Sequence, residues 1–402
     1  MLSVMAILPR AILTLALLAP AASLYAPDVV LLNRQHYAGE VRVNPDTVFV
    51  KVGKTTYNIP RASVREVRLW GAEVTEYEGL KASVAPTAES HLRVARWLDS
   101  KLQNAEAEKY YESAIALDPE NKPAHEALGY KLADGRWTRS DEDRWRIRSN
   151  WLGREGADAC VELAKIYQAA KDDRRVEIFL RRALIADTGH REALTLIRPL
   201  TDQYVSKNQY RLPVSGTWAV INDHNQHHRS AAFMQYGLDF MKVDEKLRTA
   251  RTPDPKSVED FYTWDAEIVA SADGEVYSLN DGYADSPLYT AGDFFSANTV
   301  CIKHAGGEYT VYGHLKNGSV CVKKGQKVKA GDVIGRGGNS GSSWVPHMHW
   351  AMYDRDGIGL PATFADFVEV AREGEKKVES GRLQEQHVYR SAAQPAKAGE
   401  TP

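Results

Sequence analysis

The sequence predicts a multidomain chain in three folded parts: a small N-terminal β module, an α-helical repeat region and a C-terminal antiparallel β domain. Three observations carry this reading. At 402 residues the chain is longer than one hydrophobic core usually serves. The apolar period is two over residues 28–69, changes to 3.6 over residues 87–200, and returns to two from about residue 209. Gly-rich turn pairs punctuate the last stretch, with no helical pattern between its strands. Hydrophobic residues at 43% and aromatics at 9% are enough for real cores and argue against wholesale disorder. The net charge of −2 excludes a polyanion binder driven by bulk attraction, so nucleic acid is not an expected partner. Three cysteines cannot supply a disulfide framework or a four-thiolate zinc site.

Residues 1–26 read as an export signal. Arg10 precedes the uncharged run Ala11–Leu18, and small residues follow at Ala19, Ala21, Ala22 and Ser23. The run is short beside the roughly 20 apolar residues of a membrane span. No cysteine follows it, which excludes lipid attachment there. An uncleaved anchor is the alternative; either way the bulk of the chain is expected outside the cytoplasmic membrane, in the periplasm or cell envelope. Residues 27–75 form the β module. Val41–Val43, Val48–Val52 and Val64–Leu69 alternate, and Asn44-Pro45-Asp46 and Gly53-Lys54 supply turns. Four or five strands with a structural or adhesive role are expected.

Residues 87–200 are helical and internally repeated. Ala95, Leu98, Ala107, Tyr111, Ala114 and Pro119 recur 69 residues later as Ala164, Tyr167, Val176, Leu180, Ala183 and Thr188. That offset is close to twice a period of about 34 residues, and the pattern resembles tetratricopeptide repeats. Alanines let paired helices approach, while Tyr111 or Leu180 fills the gap. Gly135–Ser140 reads as an interrupting loop. Such stacks present concave surfaces, so a protein partner is one expectation and a plain helical spacer the other. Residues 209–370 form the C-terminal β domain, with strands expected at 217–221, 237–241, 267–270, 274–279, 298–304, 309–314, 327–328, 332–335 and 347–353. Residues 373–402 are charged, rich in Ala, Pro and Gly, and lack a period; they read as a disordered tail.

Seven of the twelve histidines fall within residues 224–349, where an even spread places about four. The most specific group is His347-Met348-His349. In a strand, residues i and i+2 face one side with Cα atoms about 6.5–7 Å apart, so one imidazole can bind a metal while the other reaches the attacking water. Met348 and Trp350 then point into packing. Alone, such a pair is more often ordinary core or surface histidine.

It is accompanied by Tyr312-Gly-His-Leu315, by Gly331-Asp-Val-Ile-Gly335 and Gly338-Asn-Ser-Gly341, and upstream by Tyr236-Gly-Leu-Asp-Phe240. This ordered set resembles the LytM/lysostaphin-type zinc endopeptidases, which act on bacterial cell-wall peptides, over about residues 209–370. The resemblance implies that Asp239 and His349 are Zn²⁺ ligands and that His314 and His347 are the catalytic pair. One imidazole would take the proton of water and the other stabilise the oxyanion. It implies a secreted hydrolase whose partners are peptidoglycan stem peptides or cross-links. One position departs from the family pattern: Gln235 stands where a histidine usually precedes the Asp by four residues. A neutral amide is a poor zinc donor. His224, His227 and His228 lie just upstream, and His228, or failing that His227, is the expected third ligand. Gln235 also motivates an alternative, a non-catalytic LytM-like domain that activates or scaffolds other wall hydrolases. A third reading makes the repeats the working part of an envelope adaptor.

Other residues invite weaker readings. His304 is expected at the surface. Cys301 and Cys321 form a conceivable bridge, or two unpaired thiols; Cys160 reads as a small core residue. Ser340, Ser342 and Ser343 suit a substrate loop better than a nucleophile. The insertion between Asn280 and Ala297 is a candidate lid or substrate wall, or a plain loop.

Overall fold

The computed structural model describes residues 28–31, 36–43, 47–61, 64–69, 71–222, 231–290, 292–293, 296–371 and 374–391. The expected export signal and His224, His227 and His228 lie outside the described residues. Two compact units divide the chain, Met1–Ile197 and Arg198–Pro402. Among the described residues, no helix is long and apolar enough to cross a membrane.

In the first unit, six short strands form two antiparallel three-stranded sheets. They are β1 (Asp28–Leu31), β2 (His36–Ala38), β3 (Glu40–Val43), β4 (Thr47–Val52), β5 (Thr55–Pro60) and β6 (Val64–Arg68), ordered β2-β1-β6 and β3-β4-β5. The alternation seen in the sequence is the burial pattern. In β4, Val48 and Val50 are fully buried while Lys51 is exposed, and they share a core with Val29, Val41, Ile59, Val64 and Val67.

The helical region then follows. Helices Ala88–Ser100 and Asn104–Leu117 pack as one pair, and Gly153–Ala169 and Asp173–Ala186 as another. Ala95, Leu98, Ala107, Tyr111 and Ala114 are buried in the first pair; Ala164, Tyr167, Val176, Leu180 and Ala183 are buried in the second. The 69-residue offset extends to the backbone. Leu102 and Lys171, in the turns within the two pairs, both adopt left-handed φ, 59° and 57°. Asp118 and Asp187 end the second helices in the same extended conformation. Side-chain caps at Thr87, Asn121, Ser140 and Asp172 each satisfy an otherwise orphaned helical amide. The stretch read as a loop at Gly135–Ser140 is instead part of a hairpin, β7 (Lys131–Ala133) and β8 (Arg136–Thr138). Asp134 and Gly135 both have positive φ, as a two-residue hairpin turn requires.

The second unit is built on one eleven-stranded antiparallel sheet. Its strands are β9 (Thr217–Asn222), β10 (Leu238–Lys242), β12 (Gly274–Asn280), β13 (Thr299–Lys303), β14 (Glu308–Gly313), β15 (Lys327–Val328), β17 (Met348–Asp354), β18 (Gly359–Leu360), β19 (Phe364–Ala371), β20 (Gly374–Gly381) and β21 (Val388–Ser391). The order is β15-β12-β13-β14-β17-β10-β9-β21-β19-β20, with β18 beside β17. Strands β11 (Glu267–Val269) and β16 (Val333–Arg336) pair separately. One face buries Trp218, Phe240, Tyr312, Met348, Trp350 and Phe364.

The tail expected over residues 373–402 is corrected for residues 374–391, which are two strands of this sheet. β20 lies at the sheet edge and is mostly exposed, so its Glu-Lys-Lys-Val-Glu sequence carries no apolar alternation. β21 is anchored by Tyr389, buried against Phe367.

Candidate functional site

Three neighbouring strands position the histidines and the carboxylate. In the β10–β17 pair, Asp239 lies opposite His349; in the β14–β17 pair, Gly313 lies opposite His349. Gly313 packs beside His349, and an added Cβ there would stand at ordinary contact distance, 3.4 Å from the His349 Cβ. The pairing of β10 with β9 shifts register between Asp239 and Phe240, a bulge of the kind that re-aims a side chain. His314 follows β14 directly with φ 58°, a left-handed turn that ends the strand.

The structure brings Asp239, His314, His347 and His349 together. The carboxylate of Asp239 is buried, with Oδ1 2.9 Å from His349 Nδ1 and 3.7 Å from His347 Nε2. The rings of His314 and His347 are 4.5 Å apart, and those of His314 and His349 6.2 Å. Met348 and Trp350 point to the opposite face and are fully buried in the core, as period two requires.

Backbone carbonyls fix two tautomers. His314 Nδ1–H donates to the Ser340 carbonyl at 2.7 Å, and His347 Nδ1–H donates to the Val345 carbonyl at 2.8 Å. A carbonyl only accepts, so both rings keep Nε2 as the basic nitrogen. Burial first, then the neighbouring His347 and His349, pushes the His314 imidazole down to about 3, against the opposing pull of the Ser340 carbonyl and Asp239. His314 is therefore neutral at pH 7.

Asp239 and His349 offer one carboxylate oxygen and one imidazole nitrogen. Zinc takes such donors at about 2.0–2.2 Å, and their 2.9 Å separation lets a single cation touch both. Among the described residues, no group of three or more His, Cys, Asp or Glu side chains is placed to hold a metal ion. The expected third donors, His227 and His228, fall outside the described residues. Gln235 is buried, and its amide donates to the Thr201 hydroxyl at 3.4 Å.

Ser340 and Ser343 are buried. Ser340 Oγ donates to the Leu315 carbonyl and accepts from the Asn298 amide, which fixes the carbonyl that holds His314. Ser343 Oγ donates to Asn339 Oδ1 at 2.7 Å and lies 3.1 Å from His347 Nδ1. Both are bonded inward, beside the histidines; the Gly-Asn-Ser-Gly sequence signals a tight turn but not these contacts. His304 is corrected as well: it is buried, with Nδ1–H donating to the Asp273 carbonyl and Nε2 2.8 Å from Thr310 Oγ1. Cys160 and Cys301 are buried free thiols, and Cys321 is an exposed one.

Comparison with known proteins finds similarity in the C-terminal region. Residues 260–358 match the model of Peptidase family M23. That stretch contains His314, His347 and His349, and begins after Asp239. The peptidoglycan DD-endopeptidase ShyA of Vibrio cholerae is 32% identical over 142 residues, covering 33% of this chain and 30% of ShyA. Its fellow DD-endopeptidase ShyC, from the same organism, is 29% identical over 128 residues, covering 32% of this chain and 28% of ShyC. A zinc-containing peptidase from Vibrio cholerae, solved by crystallography, is 22% identical over 38% of this chain and 39% of that one, with a TM-score of 0.24. The match thus spans under a third of the length of the two curated relatives. The C-terminal region is similar to M23 peptidases over residues 260–358, and it is preceded by a helical region and a small β module.

Proposed function

We propose that this chain, with its M23-type domain, is an exported zinc metalloendopeptidase that hydrolyses peptide bonds in peptidoglycan cross-links. The observation that carries the proposal is the convergence of His349 Nδ1 and His347 Nε2 on one buried carboxylate oxygen of Asp239, with His314 beside them. Asp239, His349 and a third donor, His228 or failing that His227, hold the metal. Zinc, when bound there, supplies Lewis-acid polarisation of the scissile carbonyl and lowers the pKa of water.

The chain's own residues do the rest. His314 and His347 present Nε2 toward the cluster because their Nδ1–H groups are spent on carbonyls. One Nε2 accepts the proton of the attacking water; the other ring, once protonated, donates to the developing oxyanion. Ser340 and Ser343 hold the loops that fix these tautomers, as the outer partners of catalytic histidines do. The helical pairs are read as tetratricopeptide-like and as the surface for a protein partner.

Gln235 favours a second reading, a metal-free domain that activates other wall hydrolases, because its amide is engaged by Thr201. Metal analysis of the purified protein and of a His227→Ala/His228→Ala double variant, with digestion of cross-linked peptidoglycan, separates the two. The endopeptidase reading expects about one zinc per chain, with metal and activity both lost in the double variant. A wild-type chain that binds no stoichiometric zinc and releases no peptide supports the activator reading.

A further inference from the structure

The three most exposed aromatic side chains among the described residues gather on two adjoining segments of the second unit. They are Tyr283 at 40%, Tyr289 at 51% and Trp344 at 62%. Tyr283 and Tyr289 lie on the insertion between β12 and β13. Trp344 lies on the loop that ends at His347, next to Val345, whose carbonyl fixes the His347 tautomer.

The insertion is not a loose lid. The Tyr289 amide donates to the Trp344 carbonyl at 2.8 Å, and the Gly292 amide to the Gly341 carbonyl at 3.0 Å. Asn339 Nδ2 donates to the Ser286 carbonyl, and the Ser286 amide returns a bond to the Asn339 carbonyl. Asp285 accepts the Asn339 and Asn317 amides, one on each carboxylate oxygen. The seam is tight enough that a Cβ on Gly292 would meet the Gly341 carbonyl oxygen at 2.6 Å. The two segments thus form one fixed wall beside His347. Its exposed groups include the side chains of Trp344 and Tyr289, the latter with its Oη 3.5 Å from the Pro255 carbonyl, and its carboxylate at Asp285 is turned inward onto amides.

We propose that Trp344 and Tyr289 form a platform for a sugar ring of the glycan strand that carries the scissile peptide. This rests on the endopeptidase reading for its substrate, not for its physical argument. Stem peptides offer small methyl groups, carboxylates and ammonium groups, none of which has an extended apolar face. A pyranose ring presents a flat face of polarised C–H bonds, which matches the electron-rich face of indole and phenol rings. The peptide is short, so a sugar held on this wall delivers the cross-link to His347 and spends remote binding energy on orientation.

The test uses the full-length protein and two probes. The first is glycan chains stripped of all peptides, with binding followed by isothermal titration calorimetry; no hydrolysis is involved. Wild type is expected to bind saturably, Trp344→Ala and Tyr289→Ala about tenfold more weakly, and Trp344→Phe close to wild type. The second is the ratio of kcat/KM on glycan-linked substrate to that on sugar-free cross-linked peptides, expected to fall about tenfold in Trp344→Ala through KM. Absence of glycan binding by wild type, or equal binding by Trp344→Ala, overturns the platform. So does an equal fall on both substrates, which would place Trp344 against the peptide. Saturable, Trp344-dependent glycan binding by a protein that hydrolyses nothing would retain the platform and discard the endopeptidase reading.

Discussion

The helical pairs of residues 88–186 and the antiparallel sheet of residues 217–391 handle polar groups in opposite ways. The helical pairs are stitched by alanine, leucine and tyrosine, and most of their charges stand at the surface in ion pairs such as Arg146–Glu142 and Arg181–Glu177. Such pairs contribute little each. The sheet buries Asp239, His347, His349, His304 and Glu308. Burying such groups is costly unless every one finds partners. Glu308 meets that condition with bonds from Tyr204, Tyr210, Asn208 and the Lys207 amide. The difference points to the site: the helical region buries few ionisable groups, Glu108 and His125 among them, whereas the sheet gathers Asp239, His347 and His349 in one place.

The contrast can be broken experimentally. The largest effect is expected from Asp239→Asn, which keeps the shape of the side chain and removes its charge. Hydrolysis should fall by about a thousandfold or more together with zinc content, while the helical circular-dichroism signal stays at wild-type level. Loss of helix in that variant would show that the two regions are not separable. Leu180→Ala tests the other side. It removes a fully buried side chain from the second helical pair and should destabilise that unit by about 2–5 kcal/mol without changing zinc content.

Glu308→Gln sharpens the comparison within the sheet, with an expected loss of about 1–3 kcal/mol in denaturant unfolding at pH 7. Burial alone raises the Glu308 pKa, but the Lys207, Asn208, Tyr204 and Tyr210 hydrogen bonds outweigh it and bring the pKa below 4.5. A depressed carboxyl contributes stability above its unfolded pKa and loses it as pH falls through the folded one. The gap between wild type and Glu308→Gln should therefore narrow below about pH 4.5. A gap independent of pH would show that Glu308 acts through packing.

Much of this organisation is legible in the sequence, for reasons that can be named. Period two marks His347 and His349 as one face and Trp350 as the other because successive side chains of a strand alternate, and Met348, Trp350 and Met352 all enter one apolar core. The 69-residue repeat is visible because each helix pair must place small residues where its helices touch. Strand β20 escapes detection because an edge strand rich in Lys and Glu has no apolar face to advertise, and β21 because four residues are too few to show a period. The inward position of His304 escapes for another reason: its partners are the Asp273 carbonyl and Thr310, one of them supplied by main chain 31 residues away. Ser340 and Ser343 look like substrate-loop residues for the same reason, since their contacts are made by a fold that periodicity does not describe.

The register that faces Asp239 with His349 has a consequence for the life of the chain. The two residues are 110 apart in sequence, so their meeting depends on closure of a long loop and on pairing of β10 with β17, a slow, non-local step. Synthesis runs from the N-terminus, so β17 is among the last strands to be made. A chain still being synthesised, or threaded unfolded across a membrane, carries all the upstream residues of the site and none of its geometry. Late strand pairing thereby delays assembly of the site until β17 has been made.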